Sequence, residues 1–320
     1  MWLCGTHGIL IDTNRGDKFP APHLLNWKRL QEARISQEQG GVKSDFRWLH
    51  EIRLHNNFIF KPDTRLTIGK ATLLWGDNGT GKTAICDWLA ATNQARVLDK
   101  WSDEIAARGP LRYTVILYDP LEHAIKVCCD KKSISYTEDG NYKPIVTLPF
   151  KIISINLLSG HLLSEIGDLE YVARSLRTDV ADLKNFISLL GRELSHSVSN
   201  VRIVTAENPD ENGEEIQADV EGTSSGLFLR MLSWSELARV VIELGMAMAQ
   251  FYSLLRPTLL ILDFGRYSFD DKWIERYARF LLSDEIKFQC LIEFADKRGV
   301  DWAGWTLAEF RGEPPDVILS

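Results

Sequence analysis

The segment from Gly76 to Thr83, GDNGTGKT, constrains the fold of this chain more than any other feature of the sequence. It matches G-x-x-x-x-G-K-[ST], the pattern of the phosphate-binding loop (P-loop), which needs a strand before it and a helix after it. The preceding residues, ATLLW, predict a short buried strand, and the following residues, AICDWLAA, predict a helix with one apolar face. We therefore expect an α/β P-loop fold with a mostly parallel central sheet.

The residue types in this loop suit a nucleoside triphosphate with Mg²⁺. Glycines lack a Cβ, so the backbone can bend around the phosphates and direct N–H groups inward, and the helix that follows adds its positive N-terminal end. Lys82 is expected to contact the β- and γ-phosphates, and the hydroxyl of Thr83 is expected to bind Mg²⁺. The predicted ATP-binding residues of the loop are Gly76, Asp77, Asn78, Gly79, Thr80, Gly81, Lys82 and Thr83.

A second feature of a nucleotide site is the apolar run TLLILD, which begins at Thr258 and ends at Asp263. An apolar run that ends in Asp is typical of a Walker B strand, which places a carboxylate at the carboxyl end of a parallel strand beside the P-loop. We therefore predict that Asp263 holds Mg²⁺ through water.

The bulk composition limits the class of protein. A chain of 320 residues with 45% hydrophobic residues can form a sizeable core in one or two domains. The net charge of −7 argues against a surface that coats nucleic acid, although it leaves room for a local basic groove. The five cysteines form no C-x-x-C pair, no apolar run approaches about 20 residues, and the N-terminus is unlike a secretion signal. A reduced, cytoplasmic protein with no membrane partner is expected.

The chain divides at the sequence level into two parts. Residues 1–45 form a predicted N-terminal extension with a helix in LLNWKRLQEARI, and residues 46–320 form the nucleotide domain. Within that domain, residues 111–149 predict antiparallel strands. Residues 161–196 show helical spacing of leucines, which predicts ordinary core helices in a lobe that covers about residues 157–250.

The segment LSWSE, from Leu232 to Glu236, begins a long predicted helix. Ser233 with Glu236 three residues later is the pattern of a capping box. The same segment resembles the LSGGQ or LSGGE signature of ABC-type ATPases, with Trp234 and Ser235 where that family has glycines. The spacing to Asp263 and the segment EIRLHNNFIF are similar to the SMC/RecF branch of the family.

This resemblance covers about residues 46–295 and implies an ABC-ATPase head, similar to RecF- or OLD-like heads without an SMC arm. The resemblance also implies an antiparallel β portion beside the central sheet and a helical lobe that carries the signature. In the family, the signature binds the γ-phosphate of ATP on another subunit. The resemblance thus implies that Ser233, Trp234, Ser235 and Glu236 bind ATP across a homodimer or higher homo-oligomer.

The sequence departs from the family where ATP is hydrolysed. Phe264 follows Asp263, where the family has the Glu that activates water, and Ala295 takes the place of the switch histidine. Asn156 is a weak match to the Q-loop residue that contacts the metal. Glu293 could act as a base from the neighbouring strand, or it could have a structural role on an exposed face. An ATPase with slow turnover is therefore expected.

Two functions remain open at this point. The first is an ATP-dependent dimer switch that controls an effector protein, such as a nuclease or toxin, in bacterial anti-phage defence. The second is a RecF-like ATPase that acts on DNA in repair or recombination. The acidic charge, together with Phe264 and Ala295, favours the switch.

Overall fold

The computed structural model describes Lys28 and residues 48–118, 122–130, 133–144, 148–190, 196–205, 214–263, 269–312 and 314–319. The predicted N-terminal extension lies outside these residues apart from Lys28. Phe264, the residue after the predicted Walker B aspartate, lies outside them as well.

Fifteen strands and seven α-helices are found in the described residues. The strands are β1 (Trp48–Asn56), β2 (Thr64–Thr67), β3 (Ala71–Gly76), β4 (Leu111–Tyr118), β5 (Glu122–Asp130), β6 (Ser133–Glu138), β7 (Asn141–Lys143), β8 (Lys151–Ile155), β9 (Val198–Thr205), β10 (Glu214–Val220), β11 (Leu227–Phe228), β12 (Thr258–Asp263), β13 (Gln289–Phe294), β14 (Thr306–Arg311) and β15 (Asp316–Leu319). The helices are α1 (Lys82–Ala91), α2 (Ser102–Arg108), α3 (His161–Ile166), α4 (Asp168–Ser175), α5 (Val180–Leu189), α6 (Trp234–Ser253) and α7 (Asp271–Leu282). Short 3₁₀ helices span Ala95–Trp101 and Leu229–Met231.

The central sheet has the strand order β15-β14-β3-β13-β12-β8, and all neighbours are parallel except β15. Strands β3, β12 and β13 are buried along nearly their whole length, as expected for parallel strands that are covered on both faces. The predicted P-loop strand and Walker B strand are both confirmed. However, β13 lies between them, so the Walker B strand is not the direct neighbour of the P-loop strand.

A second sheet is antiparallel and has the order β2-β1-β4-β5-β6-β7. It confirms the antiparallel strands that were predicted over residues 111–149. Its inner face is apolar, because Ile52, Val115 and Ile125 lie opposite one another in the register and are at most 1% exposed. This face packs in the same hydrophobic cluster as helix α1, so the sheet supports the helix that follows the P-loop.

The third part is a lobe with helices α3 to α6 and a small sheet of order β11-β10-β9. Helices occupy the predicted helical region as far as Leu189, and residues 191–195 lie outside the described residues. The prediction is wrong at residue 196, because residues 196 and 197 lead directly into β9. The carboxylate of Glu243 on α6 explains this start of the strand. It is fully buried and accepts hydrogen bonds from the N–H groups of Ser197 (2.7 Å) and Val198 (3.2 Å).

None of the helices within the described ranges combines the length and the apolarity that are needed to cross a bilayer.

Candidate nucleotide-binding site

The P-loop connects the carboxyl end of β3 to the first residue of α1, as predicted. Gly76 has φ 143°, and a Cβ at this position would lie 2.4 Å from the backbone oxygen of Phe310 on β14. Gly81 has φ 88°, and a Cβ there would lie 2.6 Å from the ring of Phe60. Both positions therefore require glycine, because the backbone conformation and the close neighbours exclude a side chain.

Lys82 is held inside the loop. Its side chain is 5% exposed, and its Nζ donates to the backbone oxygens of Gly76 (2.6 Å) and Asp77 (2.8 Å). Burial lowers the pKa of Lys82, while the charges of Glu293 and Asp77 counteract part of this effect. The ammonium group thus lies inside the loop, in contact with the backbone oxygens at its start.

Thr83 contacts Glu293, which the sequence indicated only as a possible base. Its hydroxyl donates to Oε1 of Glu293 at 2.5 Å. Glu293 is 7% exposed, so the alternative of a structural role on an exposed face is wrong. Asp263 lies directly opposite Glu293 in the register of β12 and β13. Burial raises the pKa of Glu293, and the nearby charge of Asp263 raises it further.

These residues fit a magnesium ion by the chemistry of their donor atoms. Thr83, Asp263 and Glu293 supply one hydroxyl and two carboxylates, and hard oxygen atoms are the ligands that Mg²⁺ prefers. The Oε2 atom of Glu293 is buried and has no hydrogen-bond partner in the described part of the chain. No group of three or more His, Cys, Asp or Glu residues suited to a metal is found in the same part. Phosphate and water would therefore complete the coordination of the metal.

A cavity of about 860 Å³ brings the metal-binding candidates together. Its lining includes Thr83, Asp263 and Glu293, together with Asn156, the weak candidate at the end of β8. The backbone N–H of Asn156 donates to the oxygen of Ser175 at 2.8 Å, which links the end of β8 to the end of α4. The site thus lies at the carboxyl ends of the parallel strands, where α/β sheets bind ligands.

Sequence reasoning missed Asp87, a buried carboxylate one turn after Thr83 on α1. Asp87 is 3% exposed, and it forms ion pairs with Lys100 and with Arg177, whose Nη2 lies at 3.4 Å. Arg177 belongs to the lobe and has φ 51°, and its backbone oxygen accepts a hydrogen bond from Gln94. The contacts of Asp87 and Gln94 with Arg177 therefore connect the P-loop helix to the lobe. A charged residue on the apolar helix was the only sequence signal.

The LSWSE segment forms the start of helix α6. Ser233 is exposed and is the N-cap, and its N–H donates to Oε2 of Glu236 at 2.7 Å, which confirms the capping box. The hydrogen bonds from Ser233 hold the pKa of Glu236 below its usual value. A Cβ at Gly160 would lie 3.1 Å from the ring of Trp234, so the indole packs tightly on the lobe. None of residues 233–236 is among the described residues that line the cavity.

Ala295 directly follows β13 and is exposed, so the position predicted for the switch histidine has no imidazole.

Comparisons with known proteins support the fold. No protein-family model matches the sequence, and a search of curated proteins finds no match. Among solved structures, an Smc head bound to the C-terminal winged-helix domain of ScpA matches with 15% identity and a TM-score of 0.57, covering 85% of this chain and 97% of that chain. An Smc head with an extended coiled coil from Pyrococcus furiosus matches with 14% identity and a TM-score of 0.54, covering 85% and 96%.

The recombination mediator RecF with ATP is also similar, with 14% identity and a TM-score of 0.53, covering 87% of this chain and 100% of that chain. At these identities the comparisons establish the fold alone. The chain has the fold of the ABC-type ATPase heads of SMC proteins and RecF.

Proposed function

We propose that this protein binds ATP and Mg²⁺ and acts as a nucleotide-dependent dimer switch with slow turnover. Its role would be to control an effector protein, such as a nuclease, in bacterial anti-phage defence. The observation that carries the proposal is the assembly of Lys82, Thr83 and Glu293 at the P-loop, with Asp263 in register beside them. Phe264 follows this assembly in the sequence, where a catalytic base is expected.

The chain's own residues supply the contacts that a nucleotide needs. Lys82 would exchange the backbone oxygens of Gly76 and Asp77 for phosphate oxygens. Thr83, Asp263 and Glu293 would hold Mg²⁺, which neutralises charge on the phosphates when it is bound. Loop N–H groups and the N-terminus of α1 would bind the remaining phosphate charge.

The signature segment supports association of two copies. Ser233 is exposed at the N-terminus of the 20-residue helix α6, where the capping box fixes the orientation of the first turn. The helix end carries partial positive charge, which suits a γ-phosphate presented by a second copy. A protein partner is compatible with this fold, since a similar Smc head is bound to a domain of ScpA.

Slow hydrolysis is expected because Phe264 follows Asp263, where the family has its catalytic Glu. Glu293 is the nearest carboxylate that could replace this base, but its Oε1 accepts a hydrogen bond from the hydroxyl of Thr83, the predicted metal ligand. We therefore assign Glu293 first to the metal and second to proton transfer. The remaining Lys82 and metal contacts would still stabilise charge in the transition state.

Steady-state phosphate release, measured with and without DNA, tests this proposal. We expect turnover below about 1 s⁻¹ in both conditions, the lower limit of the usual enzyme range. The Lys82→Ala variant provides the background rate. Rapid turnover that DNA stimulates would refute the switch and favour the alternative, a RecF-like ATPase that acts on DNA in repair.

A further inference from the structure

The segment that follows β13 places a lysine against the residue that directly precedes the P-loop. The Nζ atom of Lys297 lies over the indole ring of Trp75, 4.5 Å from its centroid. Trp75 is the last but one residue of β3, and Gly76 begins the P-loop directly after it. In the register of the central sheet, Trp75 is paired with Phe294, the last residue of β13. The lysine is therefore at the carboxyl end of the parallel strands, where the candidate nucleotide site lies.

The backbone around Lys297 is held in place by its neighbours. The carbonyl oxygen of Lys297 accepts the indole N–H of Trp302 at 2.8 Å. The next residue, Arg298, has φ 48°, and it forms an ion pair with Asp271 at 3.5 Å. Its guanidinium also donates to the backbone oxygen of Phe269 at 3.0 Å. A left-handed conformation at a residue other than glycine persists only where the surroundings impose it. The segment thus presents Lys297 from a fixed backbone position.

The charge of Lys297 is not neutralised by a carboxylate. Its side chain is half-buried, and it forms no ion pair within the described ranges of the chain. By comparison, Lys100 and Arg177 in the cavity are both paired with Asp87. The face of an indole ring attracts a cation, but this attraction is weaker than a charge-assisted hydrogen bond to a phosphate. Lys297 can therefore exchange the ring of Trp75 for a stronger, anionic partner.

A triphosphate at the candidate site needs more positive charge than the P-loop lysine supplies. Lys82 contributes one positive charge inside the loop, whereas Asp263 and Glu293 place two carboxylates beside the phosphates. Mg²⁺ compensates for part of the negative charge when it is bound. The γ-phosphate is the group that ATP has and ADP lacks, and it adds further negative charge. Another cation at the same edge of the sheet would thus stabilise bound ATP more than bound ADP.

We propose that Lys297 leaves the ring of Trp75 when ATP binds and contacts the γ-phosphate, so that this lysine distinguishes ATP from ADP. The inference rests on the proposed function, because it requires a nucleotide in the P-loop. Since the backbone of the segment is fixed, only the side chain of Lys297 has to move. A lysine that merely covers the ring of Trp75 with its apolar stem would affect the binding of both nucleotides equally.

Calorimetric titrations of Lys297→Met with a non-hydrolysable ATP analogue and with ADP, both with Mg²⁺, test the inference. Methionine keeps an unbranched apolar side chain over the ring and removes the charge. We expect the affinity for the analogue to fall about tenfold and the affinity for ADP to stay within about twofold of wild type. Lys297→Arg keeps the charge and should restore most of the affinity for the analogue. The matched control is Lys287→Met, which removes an exposed lysine before the amino end of β13 and should bind both nucleotides like wild type.

The Trp75→Phe variant separates a contact with the γ-phosphate from a structural role of the pair. A phenyl ring holds a cation less well than an indole ring, so Lys297 should leave it more readily. The affinity for the analogue relative to ADP should therefore be at least as high as in wild type. A purely structural pair predicts instead that Trp75→Phe and Lys297→Met change this ratio in the same direction or leave it unchanged.

Association of two copies has to be separated from a contact within one chain. The Ser233→Arg variant provides the background for this, because it is expected to bind the analogue without associating. Adding Lys297→Met in that background should again lower the affinity for the analogue about tenfold. A loss that occurs only in protein able to associate would place the contact of Lys297 across the two copies, and it would overturn the contact with the nucleotide of its own chain.

The outcomes that would overturn this inference differ from those that would refute the proposed function. An unchanged affinity of Lys297→Met for the analogue, or an equal loss for the analogue and for ADP, would exclude Lys297 as the γ-phosphate contact. A Lys297→Arg variant that behaves like Lys297→Met would exclude a contact made through positive charge. Wild-type protein that binds neither ADP nor the analogue would instead refute the proposed nucleotide site, and the inference would fall with it.

Discussion

Replacing Lys82 with alanine gives the clearest test of the nucleotide site, because its effect can be worked out from the contacts. The Nζ atom donates two hydrogen bonds to neutral backbone oxygens, those of Gly76 and Asp77. A bound triphosphate would replace these acceptors with charged oxygens, so binding gains only the difference between the two kinds of bond. The ammonium group is charged in both kinds of bond, and a charge-assisted bond contributes about 1.5–3 kcal/mol.

A net gain of the size of one charge-assisted bond, about 1.5–3 kcal/mol, corresponds to a ~10- to ~150-fold weaker affinity for ATP in Lys82→Ala. Calorimetric titration of both proteins with Mg-ATP measures the change. Lys272→Ala removes an exposed lysine outside the P-loop and should bind like wild type. Equal affinities for wild type and Lys82→Ala would refute the assignment of the P-loop.

The other predictions concern the metal, the turnover and the fold. Glu293→Gln should raise the Mg²⁺ concentration that is needed for ATP binding, because it removes a carboxylate next to Thr83. Identical magnesium titrations of the variant and wild type would show that Glu293 is not at the metal. Phe264→Glu should raise phosphate release, since a positioned base contributes ~10²–10⁴-fold, and an unchanged rate would contradict a missing base as the cause of slow turnover. Glu243→Ala should destabilise the protein by about 3–5 kcal/mol in urea unfolding, because it leaves buried N–H groups of Ser197 and Val198 unpaired. A loss below about 1 kcal/mol would show that water replaces the carboxylate.

The parts of the site that depend on local sequence could be predicted. The P-loop needs glycines at defined positions between a strand and a helix, and Gly76 and Gly81 have the positive φ values that the motif requires. The capping box at Ser233 and Glu236 is likewise a local pattern of four residues. Both were confirmed because short-range backbone geometry determines them.

The parts that depend on strand order could not be predicted. The sequence does not show that β13 lies between β3 and β12, so it favoured Asp263 as the carboxylate beside the loop, whereas Glu293 contacts Thr83. The contact between Asp87 and Arg177 joins residues 90 positions apart. Such pairs form through tertiary packing, for which a single sequence carries no periodic signal.

The start of β9 illustrates the same limit within the lobe. The spacing of leucines predicted a helix up to residue 196, yet the chain is already leading into a strand at that point. The carboxylate that holds this turn, Glu243, comes from a helix 46 positions later. The spacing of leucines contains no information about a hydrogen-bond partner that is distant in sequence, so the end of the helix was predicted too far along the chain.

Sedimentation velocity with a non-hydrolysable ATP analogue tests the central proposal, the ATP-dependent dimer switch, most directly. Wild-type protein should associate with the analogue and remain unassociated with ADP, because only a γ-phosphate can contact the signature helix of another copy. Ser233→Arg should bind the analogue but fail to associate, since Ser233 is exposed at the helix N-terminus and outside the described lining of the P-loop cavity. Wild-type protein that stays unassociated with the analogue, or a Ser233→Arg variant that associates as wild type does, would contradict the account.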